Sequence, residues 1–342
     1  MKRNTDSTTI EDTSKAPPKT NCAQSLGILS ALNTHEGKLL YGAPVARKNN
    51  AKTLRLLNAL KSHSSCTPGI AVIYLGNNPD DKVYRSEIIK QAHRIGMPVS
   101  VHGLPGKAEQ SDVEKLIGLL NNMPEVSGIL VQTMHDKALR RVAHACLNPA
   151  KDPEGVTAFH RQKLFYGEGE ILPCTPEAIR LLIKETCGGN LRGKTVAIVN
   201  CSPVIGLPLS EILAYEGATI TLCNNQTKNL AKSTRDKDVL VAAVGATNII
   251  QRKHIGKGQI VIDAAIVREN GRVLGCVQIE KVIDKVSLIT PVPGGVGPVT
   301  TSILLDNTAK LFAGSLGLCI TESEHEHTVH YKLHRPGDSV AA

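Results

Sequence analysis

The stretch Lys194–Ser210, KTVAIVNCSPVIGLPLS, constrains the fold more than any other part of this 342-residue chain. Val196, Ile198 and Val199 suit a strand covered on both faces. Asn200–Pro203 forms a tight polar turn, and a helix begins directly after it. A strand–turn–helix of this kind aims backbone N–H groups, at the positive end of a helix, toward whatever lies over the turn. A nucleotide phosphate is the usual occupant. The turn offers Asn200, Ser202 and Gly206 rather than the three-glycine dinucleotide fingerprint, so an ordinary α/β turn without a ligand fits as well.

The pattern recurs on both sides of this stretch. Upstream, Gly69–Leu75 and Ser127–Gln132 read as buried strands and Val99–His102 as a short one. Helices are expected over 39–60, from Asp80 and Asp81 to a stop at Gly96, over 113–120, and from Pro173-Cys174-Thr175-Pro176 to Cys187. In the last of these Thr175 suits the N-cap and Pro176 the first helical position. Downstream, strands are expected at 195–199, 218–223, 238–244 and 259–263, with a helix at 205–216. Strands alternating with helices imply a mostly parallel sheet, whose ligands lie beyond the carboxyl ends of the strands. Gly76-Asn77-Asn78, Gln132, Asn200–Ser202, Asn224-Asn225, Gly245 and Asp263 all fall at such ends.

Ile289–Thr300, ITPVPGGVGPVT, combines three prolines and three glycines in a stiff loop that lets a ligand approach the backbone. A helix is expected from Thr300 to Phe312. Gly188-Gly189 reads as a hinge between two domains. The expected organisation is a disordered tail at 1–36, a first domain at 37–188 completed by 300–316, a second domain at 189–299, and a tail at 317–342. His325, His327, His330 and His334 lie in that last tail, and their loose spacing is a poor metal signature, so no metal is expected.

Other function classes are narrowed by what the chain lacks. No apolar run approaches the roughly 20 residues of a membrane span. Residues 1–15 have no apolar core, and Asp6, Glu11 and Asp12 argue against a mitochondrial presequence, so a cytoplasmic protein is expected. The nine cysteines form no C-x-x-C pair and read as reduced thiols. The net charge of +9 comes without a dense basic block or interleaved aromatics. It fits a solvated surface or an anionic small ligand better than nucleic acid.

From Leu39 to Phe312 the chain resembles the methylenetetrahydrofolate dehydrogenase/cyclohydrolase family. The matching motifs are Gly76-Asn77-Asn78-Pro79 with Tyr84, Gly128–Gln132, Lys151-Asp152 with Gly155, Leu172–Pro176, and Thr290–Pro298 followed by Thr300. The resemblance implies an amino-terminal α/β folate domain, a Rossmann-type parallel-sheet cofactor domain binding NAD or NADP, and a last helix returning to the first domain. It implies hydride transfer from 5,10-methylenetetrahydrofolate, a folate site between the domains, and a homodimer. Tyr84 and Gln132 then stand at the catalytic positions. Val131, Glu154, Pro293, Gly294, Gly295, Val296, Gly297, Pro298 and Thr300 stand with them at the folate. Asn200, Cys201, Ser202, Ile205, Gly206, Asn225, Gly245 and Ile266 stand at the cofactor.

Several positions depart from the family. A lysine normally follows the tyrosine by four residues, on the same helix face. Here that position is Ile88; Lys90 lies about 200° round the helix and matches the family's second lysine. The cyclohydrolase step, which opens the methenyl product to 10-formyltetrahydrofolate, is therefore expected to be absent or very weak. Gln132 matches the glutamine that hydrogen-bonds that lysine. Glu154 replaces the folate-anchoring aspartate, and Thr133-Met134 stands where many relatives have Leu-Pro. Relatives often read Gly-Arg-Ser at the cofactor turn, with the arginine on the NADP 2′-phosphate; Asn200-Cys201-Ser202 lacks that charge and tilts the expectation to NAD. A fungal branch of the family is a monofunctional NAD-dependent dehydrogenase without the lysine, and Ile88, Glu154 and Asn200 are similar in kind to it. A catalytically inactive paralogue that binds folate, nucleotide or a homologous subunit is the alternative.

Overall fold

The computed structural model describes residues 37–76, 78–132, 136–269, 271–325 and 328–338. The expected tail at 1–36, the Thr133-Met134 pair and His327 lie outside the described residues. Helix α1 (Gly42–Leu60) leads into β1 (Gly69–Leu75), α2 (Pro79–Arg94), β2 (Val99–Leu104), α3 (Gln110–Asn122) and β3 (Val126–Val131). These strands form one parallel sheet in the order β2-β1-β3. Every residue of β3 and the first five of β1 are buried, which is why both read as unbroken apolar runs.

Then come α4 (Lys137–Cys146), α5 (Ala158–Phe165) and α6 (Cys174–Thr186). The second sheet is built from β4 (Thr195–Val199), β5 (Thr219–Cys223), β6 (Val239–Ala242), β7 (Ile260–Asp263) and β10 (Leu288–Ile289), all parallel, in the order β10-β7-β6-β4-β5. Helices α7 (Gly206–Tyr215) and α8 (Leu230–Thr234) lie in its crossovers, and β8 (Val267–Glu269) and β9 (Arg272–Leu274) make a small antiparallel hairpin beside it. The two-domain α/β fold expected from the sequence is the one observed.

Helix α9 (Val296–Ser315) ties the two sheets together. It is buried on nearly every side, its polar Asp306–Thr308 included, and packs against α1 and α6. It begins four residues earlier than expected, inside the proline–glycine loop. Pro298 permits this because first-turn N–H groups have no partner within the helix. The chain before α1 clamps that loop: Leu40 N–H donates to Ile289 O and Gly42 N–H to Gly294 O, each at 2.8 Å. A Cβ on Gly42 would lie 1.9 Å from Gly295 O, so only glycine permits this approach.

Three expectations are corrected. Helix α6 starts at Cys174 with Pro173 as its cap, so Thr175 is already helical and Pro176 occupies the third position rather than the first. Residues 148–169, rich in turn residues and charge and not among the expected helices, include α5, whose mixed charges hide its two buried anchors, His160 and Leu164. Residues 317–342, expected as a tail, contain a hairpin of β11 (Cys319–His325) and β12 (Thr328–His334). Ile320, Tyr331 and Leu333 pack on the main core, and Lys52 of α1 pairs with Glu322 at 2.7 Å. Among the described residues no helix is long and apolar enough to cross a membrane, and all eight cysteines are free thiols.

Candidate functional site

The carboxyl ends of β1 and β3, the start of α2 and the first turns of α9 adjoin one another. Tyr84, on α2, lies there close to the side chain of Thr301 on α9. Burial first, and then the nearby Glu154 and Cys174, push the phenol far above its ordinary range. Glu154 is raised to about 8, chiefly by burial and then by Asp152. Below that pH its carboxyl is neutral and carries a proton to donate. The Cys174 thiol is also pushed up, by burial and then by Glu154 and Asp152, so it is no nucleophile here. Tyr84, Glu154, Cys174 and Thr301 thus converge from four separate stretches of the chain.

Asn307, absent from the expected site, holds this cluster in shape. Its Nδ2 donates to Pro153 O at 2.8 Å and to Leu172 O at 3.0 Å, joining the turn of Glu154 to the turn that opens α6. Cys174 Sγ donates to the same Pro153 oxygen at 3.2 Å. Gly155, with φ of +64°, lets the two turns close to within van der Waals contact. Lys151 and Asp152 serve structure. Lys151 Nζ donates to Leu120 O and Met123 O at the end of α3, and Asp152 Oδ2 accepts from Thr157 N–H.

Gln132 follows β3 and is buried. Its Oε1 accepts from Arg85 Nη1 at 2.9 Å, and its Nε2 donates to Asp81 O at 2.6 Å. A guanidinium only donates and a carbonyl only accepts, so these partners fix the amide's orientation. The Arg85 guanidinium lies 3.9 Å from the centroid of the Tyr74 ring, stacked on it. Ile88 is completely buried in the apolar core. Arg85 had no sequence signal beyond its i,i+4 spacing from Asp81 on the α2 face that meets Gln132.

The second group of expected residues lies along the carboxyl edge of the five-stranded sheet. Asn200 Oδ1 accepts from Ser202 N–H at 2.7 Å and from Gly206 N–H at 3.0 Å, while its Nδ2 donates to Ala243 O at 2.7 Å. Ser202 Oγ accepts from Ile205 N–H, and Ser202 O from Leu207 N–H. Pro208 has no N–H to offer. The donors at the start of α7 are therefore bonded within the turn itself. Gly206 is obligatory, because a Cβ there would sit 1.9 Å from Asn200 O. Cys201 Sγ donates to Cys223 O at 3.5 Å, next to the exposed Asn224 and Asn225. Gly245 is exposed with open space where a side chain would be, and Ile266 projects with 67% of its surface exposed. Two shallow depressions elsewhere, one by Leu104, Lys115 and Leu119 and one by Lys184, Arg192 and Tyr215, contain none of the expected site residues. Among the described residues no cluster of histidines, cysteines and carboxylates could hold a metal ion.

Comparison with known proteins agrees with this layout. Residues 40–154 match the catalytic domain of tetrahydrofolate dehydrogenase/cyclohydrolase, and residues 173–315 match its NAD(P)-binding domain. The bifunctional protein FolD of Bacillus subtilis is 36% identical over 274 residues, covering 80% of this chain and 96% of that protein. The crystal structure of the bifunctional FolD enzyme of Campylobacter jejuni superposes with a TM-score of 0.76 at 32% identity, over 81% of this chain and 99% of that one. The Trypanosoma brucei enzyme, solved with NADP cofactor and an inhibitor, gives 0.75 at 28% identity, over 81% and 97%. With both halves matched in order and the sheet edges carrying the expected residues, the chain belongs to the tetrahydrofolate dehydrogenase/cyclohydrolase family of one-carbon folate metabolism, with an NAD(P)-binding second domain.

Proposed function

We propose that this protein oxidises 5,10-methylenetetrahydrofolate to the 5,10-methenyl form with NAD or NADP as acceptor, and does not hydrolyse the product. The observation that carries the second half is Ile88. It is wholly buried and apolar, on the helix face of Tyr84 where the family's lysine belongs. An isoleucine neither carries charge nor moves a proton, and opening the methenyl ring needs both.

Hydride transfer asks less of the protein. It requires the two reacting rings to be held in register, which is a positioning task. Glu154, neutral at physiological pH, has one donor and one acceptor for a pterin edge. The neutral Tyr84 phenol, close to Thr301, forms a wall beside it. Val131, Gln132 and the loop Pro293–Pro298 with Thr300 complete the folate side. Asn200, Cys201, Ser202, Ile205, Gly206, Asn225, Gly245 and Ile266 would hold the dinucleotide, and the open space at Gly245 suits it. When bound, the nicotinamide supplies the hydride acceptor.

Cys201 has no charge for a 2′-phosphate, which favours NAD; a titration in which NADP binds far more tightly than NAD would refute that preference. The protein is proposed to act in the cytoplasm as a homodimer, and sedimentation of the purified chain tests the assembly. The deciding assay gives the purified full chain methylenetetrahydrofolate with each cofactor. Reduced nicotinamide should accumulate, while added methenyl substrate should decay at the buffer rate. Hydrolysis well above that rate, abolished by Tyr84→Phe, would overturn the assignment. The self-bonded turn at Asn200 favours a second reading, a non-catalytic homologue. Folate binding without turnover on either cofactor would establish it.

A further inference from the structure

We infer that Arg85 has taken over the electrostatic position of the missing lysine and locks Gln132, so that hydrolysis is barred twice, by Ile88 and by Arg85. The inference rests on the proposed loss of the cyclohydrolase step, and it adds a positioning residue that the family motifs do not contain. Gln132 has one carbonyl oxygen in its side chain, and Arg85 occupies it at 2.9 Å. The other end of the amide is tied to Asp81 O at 2.6 Å. Stacking on Tyr74, at 3.9 Å, further restrains the guanidinium.

Residues 85 and 88 are three apart on α2 and so are neighbours on its surface. A lysine at 88 would lie beside a fixed positive charge and compete for the same glutamine oxygen. Like charge disfavours the ammonium, and the planar, stacked guanidinium is the better-held donor. A second cation at the same oxygen would sit within a few ångströms of the first, and like charges that close repel. An apolar residue at 88 is therefore the partner that Arg85 tolerates, and the two positions form a coupled pair. A guanidinium, unlike an ammonium, does not cycle its proton in the working range of an enzyme. Arg85 thus preserves the glutamine's geometry without the capacity to drive ring opening.

The test compares methenyltetrahydrofolate hydrolysis by the wild type, Ile88→Lys, Arg85→Val and the double variant, with dehydrogenase turnover followed in each. Ile88→Lys alone should stay within about threefold of the wild type, and the double variant should exceed it at least about tenfold. A wild type that hydrolyses rapidly would sink the lost-step assignment. A silent wild type with the single lysine variant as fast as the double, or with the double as silent as the single, would sink the Arg85 lock. Where the lysine variants fail to fold, the carboxamide resonances of Gln132 decide, identified by their disappearance in Gln132→Leu. They should move in Arg85→Val, and unmoved resonances would overturn the inference.

Discussion

On the folate side, Tyr84, Glu154, Cys174 and Thr301 come from distant segments and turn their polar atoms toward shared space. On the cofactor side, Asn200, Ser202 and Gly206 are near neighbours in sequence and turn theirs on each other. The first arrangement exists only when the whole domain is assembled, and it keeps a donor ready in the neutral Glu154. The second is complete within one turn. Relatives with glycine at position 200 have no side chain there to take those N–H groups. Under the proposed function, this chain keeps its substrate chemistry and alters how its cofactor is held.

The largest effect should come from cutting the folate side loose. Asn307→Leu leaves Leu172 O without its donor and Pro153 O with only the Cys174 thiol, in a buried setting, costing about 1–3 kcal/mol. Urea unfolding should show that loss, and dehydrogenase turnover should fall with it. An unchanged midpoint would mean that the two turns hold each other unaided. A smaller effect is expected from Asn200→Gly, which releases the N–H groups of Ser202 and Gly206. Dinucleotide affinity should rise about fivefold to tenfold, while stability falls by about 1 kcal/mol through the lost cap. Weaker binding instead would show that the carboxamide itself touches the cofactor, and the contrast between the two sides would fail.

The third effect is a slope rather than a single step. Glu154 is protonated in the folded protein up to about pH 8, but an unfolded glutamate loses its proton near 4.5. Between those values the native state binds the extra proton, so stability falls as pH rises. Its contribution is full below the unfolded value and is lost as pH passes through about 8. One such group gives at most about 1.4 kcal/mol per pH unit. Glu154→Gln should flatten this decline in thermal melts taken across the window, and an equal slope in the variant would remove Glu154 as its source.

What could be read from the chain alone follows from which signals are local. The strand at 195–199 needed only its own apolar run, and Gly206 only its place in a turn. Tyr84, Gln132 and Glu154 were legible through family motifs, and Ile88 through a fixed spacing from the tyrosine. Arg85 was not, because a charge on an amphipathic helix looks the same whether it meets water or a buried glutamine. Asn307 was hidden for the opposite reason. It lies in the polar run Asp306–Thr308, which reads as an exposed helical face yet is buried. The hairpin β11–β12 escaped because its anchors, Ile320, Tyr331 and Leu333, are sparse among charges and gain meaning only against the core they cover.

Helix α9 leaves the clamped loop at Gly295, passes Thr301 beside the tyrosine, and reaches Asn307 beneath the glutamate turn. It is a single rigid rod sunk in apolar packing. Along its axis the loop and Asn307 stand about 18 Å apart, at 1.5 Å per residue. One buried helix thus fixes both the proline–glycine loop and the glutamate turn in place.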